Sequence, residues 1–132
     1  MWQRGRTFES TSHAPGDARR FVRDCLNAWG LDQLSEPTLL AVSELMTNAV
    51  THGQGRIALT LRGTDDRIHV SVADEGESTP VMLTPDPEHR ISGGWGLHLV
   101  NTLADDWGFD TRDHRTVVWF KLATRQSDSR GP

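Results

Sequence analysis

Hydrophobic positions in the first half of the chain recur every three or four residues, which is the period of an amphipathic helix. One such stretch begins near Pro15 and ends at Gly30, and a second runs from Ser35 to His52. Ser35 is a favoured N-cap residue, and the glycine that follows His52 supplies a natural stop. The pattern therefore predicts two consecutive helices, each with one apolar and one polar face.

Beyond these helices the period changes to two, which is typical of half-buried strands. Alternation runs from Arg56 to Arg62, and after a polar turn it resumes at Ile68. Further strands are predicted at residues 6–11, 109–111 and 116–122, and helical spacing returns from Leu97 towards Trp107-Gly108. Helices grouped apart from hairpin-linked strands predict an α+β fold. We expect a two-layer sandwich in which helices cover one face of a mixed, mostly antiparallel sheet.

Length and composition restrict the class of protein. The 132 residues are 36% hydrophobic and 24% charged, which suits one folded domain. We expect that domain over residues 1–124 and a flexible tail over 125–132, where Ser, Asp, Arg, Gly and Pro prevail. The formal net charge of −4 argues against direct nucleic-acid binding. No apolar run approaches the ~18 residues of a membrane span, so we expect no membrane association.

Single residue types exclude further classes. Cys25 is the one cysteine and can form no intramolecular disulfide, so we expect a cytoplasmic protein. The histidines fall at no zinc-ligand spacing, which argues against a dedicated transition-metal site. Lys121 is the one lysine. This excludes the phosphate-binding P-loop and the eukaryotic-type protein kinase site, since both require a lysine upstream of their helices.

The second predicted helix presents a carboxylate and a carboxamide on one face. At ~100° per residue, Glu44 and Asn48 lie one turn apart, with Thr47 and Thr51 beside them. The amide oxygen can bind Mg²⁺, and the carboxylate can accept a proton in phosphoryl transfer. An ordinary solvated helix face also explains such a pair, and if this pair were the only signal we would favour that interpretation.

Two glycine-containing segments offer further chemistry. Asp74 ends a predicted buried strand and Gly76 follows it, so that a carboxylate could accept a hydrogen bond from an amino group such as that of adenine. A strand-ending turn explains this segment equally well. After a long polar stretch at residues 77–92, Gly93-Gly94-Trp95-Gly96 runs into a predicted helix, where backbone N–H groups can bind phosphate. A lid hinge without a ligand is the alternative.

In this order and at these separations, the three groups resemble the N, G1 and G2 boxes of the GHKL ATPases. That superfamily contains gyrase, heat-shock chaperone, histidine kinase and mismatch-repair ATPases. Within it, the segments Glu44 to Gly53 and Gly94 to Val100 are most similar to the bacterial anti-sigma-factor serine/threonine-protein kinases and their standalone relatives. The resemblance covers the chain from Phe8 to Leu122. It implies a Bergerat-type ATP-binding fold with ATP and Mg²⁺ as cofactors.

The resemblance also implies a role for individual residues. Asn48 would hold Mg²⁺, Glu44 would be the general base, and residues 77–92 would form the ATP lid. Asp74 would read the adenine amino group, Gly76 would shape the base pocket, and Thr116 would help to contact adenine. Arg90 would meet the γ-phosphate. The full set of implied nucleotide-binding residues is Asn48, Asp74, Gly76, Arg90, Gly94, Gly96, Leu97 and Thr116. Trp95 departs from the family pattern, because relatives commonly carry arginine or another long side chain there.

Two functions follow from the resemblance. In the first, the protein is a cytoplasmic kinase that phosphorylates a hydroxyl of an anti-sigma-factor antagonist, sequesters a sigma factor and so regulates transcription; a homodimer is compatible with it. In the second, ATP occupancy switches a protein interface without significant kinase activity. The presence of both Glu44 and Asn48 favours retained chemistry. A degenerate domain that has lost its nucleotide is a third alternative, against which Asn48, Asp74 and Gly76 argue.

Overall fold

The computed structural model describes residues 2–76, 100 and 103–124. In chain order the elements are β1 (Trp2–Phe8), α1 (Ala14–Trp29), a 3₁₀ turn (Asp32–Leu34), α2 (Ser35–His52), β2 (Ile57–Gly63), β3 (Arg67–Asp74), β4 (Asp106–Arg112) and β5 (Arg115–Ala123). The predicted lid at 77–92, the glycine motif at 93–96 and the tail at 125–132 lie outside the described residues.

The five described strands form one sheet in the order β1-β2-β3-β5-β4. All pairings among them are antiparallel. Because side chains alternate along a strand, every second residue of β2, β3 and β5 points to the layer formed by α1 and α2. The predicted α+β class is confirmed. The parallel pairing that a mixed sheet would contain does not occur among the described strands.

The hydrophobic core fills the space between the helices and this face of the sheet. Its fully buried members include Ala18, Val22 and Leu26 on α1, Ala41, Val42 and Met46 on α2, and Ile57, Leu59, Leu61, Val70 and Phe120 in the sheet. Burial of one apolar stripe on each helix supplies most of the stability of helices of this length. No helix in the described part of the chain combines the length and the apolar character that crossing a membrane requires.

Both helices predicted near the start of the chain are confirmed. Gly30 ends α1 with a left-handed backbone (φ 71°), and its N–H donates to the carbonyls of Leu26 and Asn27. The prediction of Ser35 as N-cap is wrong, because the N-cap residue of α2 is Leu34 and it makes no side-chain cap. The 3₁₀ turn is the cause, since its last residue is Leu34 and its helical backbone continues directly into α2.

The first strand begins and ends earlier than its β-favouring residues predicted. The prediction was residues 6–11, whereas β1 spans Trp2–Phe8 and pairs with β2 along its whole length, from Trp2 opposite Gly63 to Phe8 opposite Ile57. The Trp2 ring stacks on Trp29 of α1 with ring centroids 5.7 Å apart. Pairing and stacking therefore determine this edge strand, although its own sequence alternates poorly.

The last helix ends earlier than predicted, and Trp107 and Gly108 belong to a strand. The Ala104 N–H still donates to the Val100 carbonyl at 2.8 Å, in the helical manner, but β4 begins at Asp106. Within β4, Trp107 lies opposite Phe120 and packs against the core. An apolar residue at position 107 is compatible both with the helical spacing and with a strand that packs on the core, so the spacing alone does not distinguish the two.

On the open face of the sheet, away from the helices, Trp119 forms the centre of an aromatic stack. His69 stacks on it at 5.6 Å between ring centroids, and Lys121 Nζ lies 5.5 Å from its ring centroid. Partial burial, together with the cationic side chains of Arg62 and Lys121, lowers the pKa of His69. Gly108 on β4 lies directly against the indole ring.

Gly108→Ala is expected to destabilise the fold by about 1–3 kcal/mol, the range for overpacking, because a Cβ there would lie 2.8 Å from Trp119 Cζ2. Urea unfolding monitored by circular dichroism measures the change. In a Trp119→Leu background the same substitution should cost much less. Equal costs in the two backgrounds would contradict the steric explanation.

Candidate functional site

The end of α2 and the end of β3 meet at one edge of the sandwich. The Glu75 backbone N–H, just beyond β3, donates to the carbonyl of Gln54, just beyond α2, at 2.8 Å. Gly53 approaches so closely that a Cβ on it would lie 2.6 Å from Asp74 Oδ2. The fold thus brings together the helix predicted to carry the metal ligand and general base and the strand end predicted to read adenine.

Asp74 is a buried carboxylate at this junction. It is the last residue of β3, on the face that the helices cover, and its residue surface is 8% exposed. Its Oδ1 accepts a hydrogen bond from the Gly76 N–H at 2.7 Å, whereas its Oδ2 accepts none from the described residues. Among the described residues, Thr38 Oγ1 is the one fully buried polar side-chain atom without a hydrogen-bond partner, so Oδ2 keeps some exposure and can accept a hydrogen bond from an amino group of a ligand.

Thr116 and Asp74 hold Gly76 from two sides. Thr116 lies opposite Asp74 in the β3–β5 register, is 3% exposed, and donates from Oγ1 to the Gly76 carbonyl at 2.9 Å. A Cβ on Gly76 would lie 3.2 Å from Asp74 Oδ1 and 3.3 Å from Gln54 Cβ, which leaves little room for a side chain. The structure therefore unites three of the predicted nucleotide-binding residues, Asp74, Gly76 and Thr116, in one hydrogen-bonded group.

The polar face predicted for α2 is present in the structure. Glu44 and Asn48 are half-buried, and the threonines beside them are exposed. Val42, Met46 and Ala49 are buried on the other side of the helix. The carboxylate and the carboxamide are thus only partly accessible to solvent. This is the exposure expected of residues that contact a ligand at the edge of the helix layer.

Sequence reasoning missed several residues around the site. Arg19 of α1 donates from Nη1 to Ser43 Oγ at 2.8 Å, and this partly buried bond joins the two helices beside Glu44. Gly53 ends α2 as predicted, with an extended backbone (φ −88°, ψ −171°), and it also packs against Asp74. Glu75, between Asp74 and Gly76, bonds to the segment that follows α2 through its side chain and its backbone N–H. The two glycines at positions 53 and 55 are the sequence feature that indicates a close backbone approach at this point.

Four predicted site residues, Arg90, Gly94, Gly96 and Leu97, lie outside the described residues. Their predicted contacts with the phosphates therefore remain predictions.

The described residues fit an adenine nucleotide with Mg²⁺. Asp74 Oδ2 provides the acceptor that an adenine amino group needs, and the tight packing around Gly76 keeps a side chain out of the space beside it. Among the described residues, no cluster of three or more His, Cys, Asp or Glu could hold a metal ion. A nucleotide-bound Mg²⁺ requires only one or two protein ligands, since phosphates and water supply the others. The amide oxygen of Asn48 suits that role.

Comparison with known proteins agrees with this geometry. A family model described as histidine kinase-like ATPase domain matches residues 8–122. The serine-protein kinase RsbW of Bacillus cereus (strain AH187) is 32% identical over 105 residues, with 69% of this chain and 66% of that protein covered. RsbW of Bacillus licheniformis is 33% identical over 106 residues, with the same coverage. The chain thus spans just under two thirds of the length of these relatives.

Two solved structures share the fold. The RsbU and RsbW domains of Rv1364c from Mycobacterium tuberculosis superpose with a TM-score of 0.71 at 21% identity, covering 93% of this chain and 32% of that one. The histidine kinase AdeS of Acinetobacter baumannii gives a TM-score of 0.52 at 11% identity, covering 96% and 70%. At these identities the likeness shows the fold alone. The resemblance predicted from the sequence motifs is confirmed.

Thr116→Val is expected to destabilise the protein by about 1–3 kcal/mol, because it leaves the buried Gly76 carbonyl without its donor. Urea unfolding gives the free-energy change. Thr116→Ser, which keeps the hydroxyl and loses only a methyl group, is the matched control. If the valine variant proves as stable as the serine variant, the hydroxyl is not what holds Gly76.

Proposed function

This chain belongs to the histidine kinase-like ATPase domain family, and we propose that it binds ATP with Mg²⁺ and transfers the γ-phosphoryl group to a serine or threonine of a protein partner. The observation that carries the proposal is the group formed by Asp74, Gly76 and Thr116, in which a buried carboxylate keeps one oxygen for a ligand donor. The relatives named serine-protein kinase support the transfer step.

Adenine would be recognised by Asp74. Its Oδ2 would accept a hydrogen bond from the amino group, while Oδ1 remains engaged by the Gly76 N–H. Guanine presents a carbonyl oxygen at the corresponding ring position, so that two acceptors would face each other and a buried polar group would be left unpaired. The site is therefore expected to prefer ATP to GTP.

The phosphates would lie between Asn48 and the glycine-rich segment. Asn48 would contribute its amide oxygen to Mg²⁺, and the backbone of Gly94, Gly96 and Leu97, with the Arg90 guanidinium, would contact the phosphate oxygens. When bound, Mg²⁺ would neutralise the charge that develops on the transferred group.

Glu44 would act as the general base. Its carboxylate would take the proton of the partner's hydroxyl as that oxygen bonds to the γ-phosphorus; the bond to the β,γ-bridging oxygen breaks, and ADP leaves. Glu44 suits the role because it is half-buried and one helical turn from Asn48, a rise of about 6 Å along the helix.

The partner assignment rests on the resemblance to the anti-sigma-factor kinases. We propose an anti-sigma-factor antagonist as the phosphorylated protein and a sigma factor as a second partner, in a cytoplasmic protein that regulates transcription and can form a homodimer. Capture of binding proteins followed by incubation with labelled ATP tests the kinase function. Label on the captured antagonist supports it, and ATP binding without label on any protein would favour the ATP-dependent switch instead.

Asn48→Ala is expected to weaken Mg-ATP binding about 10-fold or more, the scale of partners in a metal site. Isothermal titration calorimetry in Mg²⁺ and in EDTA separates the metal contribution, because the variant should match the wild type in EDTA. The exposed neighbour Thr47 provides the control variant Thr47→Ala. Unchanged Mg-ATP affinity in Asn48→Ala would remove the metal assignment.

Glu44→Gln is expected to bind ATP as the wild type does and to lower phosphoryl transfer about 100-fold or more, since a general base contributes on that scale. Transfer is measured as label gained by the partner. Glu36→Gln changes an exposed glutamate in the first turn of the same helix and should transfer normally. Equal phosphoryl transfer by the Glu44 variant and the wild type would contradict the assignment of Glu44 as general base.

A further inference from the structure

Glu75 holds the segment that joins α2 to β2, residues 53–56, against the end of β3. Its Oε1 accepts a hydrogen bond from the Arg56 backbone N–H at 3.0 Å. Its own backbone N–H donates to the Gln54 carbonyl at 2.8 Å. We call this pair of hydrogen bonds the Glu75 clasp. One residue thus fixes the joining segment at two points, two residues apart.

The joining segment carries a glycine where the clasp leaves no space. A Cβ on Gly55 would overlap Glu75 Oε1 and lie 2.8 Å from Glu75 Cβ. Gly55 also has a left-handed backbone (φ +72°), which side-chain-bearing residues adopt at a cost. The Glu75 carboxylate therefore occupies the volume that a side chain at position 55 would need.

The clasp acts on residues that border the hydrogen-bonded group of Asp74, Gly76 and Thr116. Gly53 packs against Asp74 Oδ2, and the side-chain carbons of Gln54 approach the Gly76 position to 3.3 and 3.4 Å, as measured to an ideal Cβ there. Gly53 and Gln54 therefore form one wall beside Asp74 and Gly76. Glu75 itself is exposed, and its backbone N–H donates directly to the Gln54 carbonyl of this wall.

We propose that Glu75 is a positioning residue for nucleotide binding, which sets the distance between the joining segment and the Asp74–Gly76 turn and thereby closes one side of the base pocket. This inference rests on the proposed function. Loss of the side-chain bond of the clasp, from the Arg56 N–H to Glu75 Oε1, loosens the joining segment. Gly53 and Gln54 then move away from Asp74, and the base loses contacts. ATP and ADP carry the same base, so both lose affinity by the same factor.

The direct test compares Glu75→Ala and Glu75→Gln by titration calorimetry with Mg-ATP and Mg-ADP, well below the unfolding temperature of every variant. Glu75→Ala should weaken both nucleotides equally, by about 3- to 10-fold, the scale of one hydrogen bond. Glu75→Gln keeps an acceptor oxygen for the Arg56 N–H and should restore both affinities to near the wild-type values. A merely structural defect would not show this equal loss and rescue.

Glu9→Ala is the matched control. Glu9 is exposed and also contacts Arg56, but through the guanidinium, with Oε2 3.7 Å from Nε. Glu9→Ala leaves both hydrogen bonds of the clasp in place, so nucleotide affinity should not change. Wild-type affinity in Glu75→Ala, or the same loss in Glu9→Ala as in Glu75→Ala, would overturn the positioning role.

A stability measurement without nucleotide tests the clasp itself. Gly55→Ala should lower the urea midpoint strongly in the wild-type background and less in the Glu75→Ala background. There the overlap with the carboxylate is gone, and only the left-handed backbone and the 2.8 Å contact with the Cβ of residue 75 remain. Equal effects in both backgrounds would overturn the contact between the two residues. A wild type that binds no ATP would overturn the proposed function and the nucleotide role of Glu75 together, while this cycle would still decide whether the clasp exists.

Discussion

The close approach of the Gly53 backbone to the Asp74 carboxylate is the contact on which the rest of the site depends. A Cβ at position 53 would lie 2.6 Å from both Asp74 Oδ2 and the Ala49 carbonyl, so only glycine allows α2 to end against β3. Helices are stiff, and this contact therefore also positions the residues that lie five and nine positions earlier in the chain. Asn48 and Glu44 are held at a set distance from the group that would recognise the base.

Next to that contact, two buried polar side chains each form a hydrogen bond with the backbone of Gly76. Asp74 and Thr116 lie on the sheet face that is otherwise apolar, and each would be costly there without a hydrogen-bond partner. Gly76 supplies one partner to each, a donor to the carboxylate and an acceptor to the hydroxyl. The carboxylate nevertheless retains acceptor capacity, which is the property that distinguishes a binding group from a purely structural network.

Periodicity alone was sufficient wherever one face of an element is buried along its full length, as in α1, α2, β2 and β3. It was insufficient where an element is determined by its neighbours. The strand β1 exists because its backbone pairs with β2 and Trp2 stacks on Trp29. Trp107 satisfies helical spacing and strand packing equally, and only its pairing opposite Phe120 selects the strand.

The sequence by itself determined the chemical groups of the site and their order, because Glu44 and Asn48 follow helical spacing and Asp74 and Gly76 follow a strongly alternating strand. The tertiary structure alone decided which of them meet. Thr116 reaches Gly76 across 40 residues through the β3–β5 register, and Glu75 reaches Arg56 across 19 residues through the end of α2. Such contacts depend on how whole elements pack, and no local pattern encodes that.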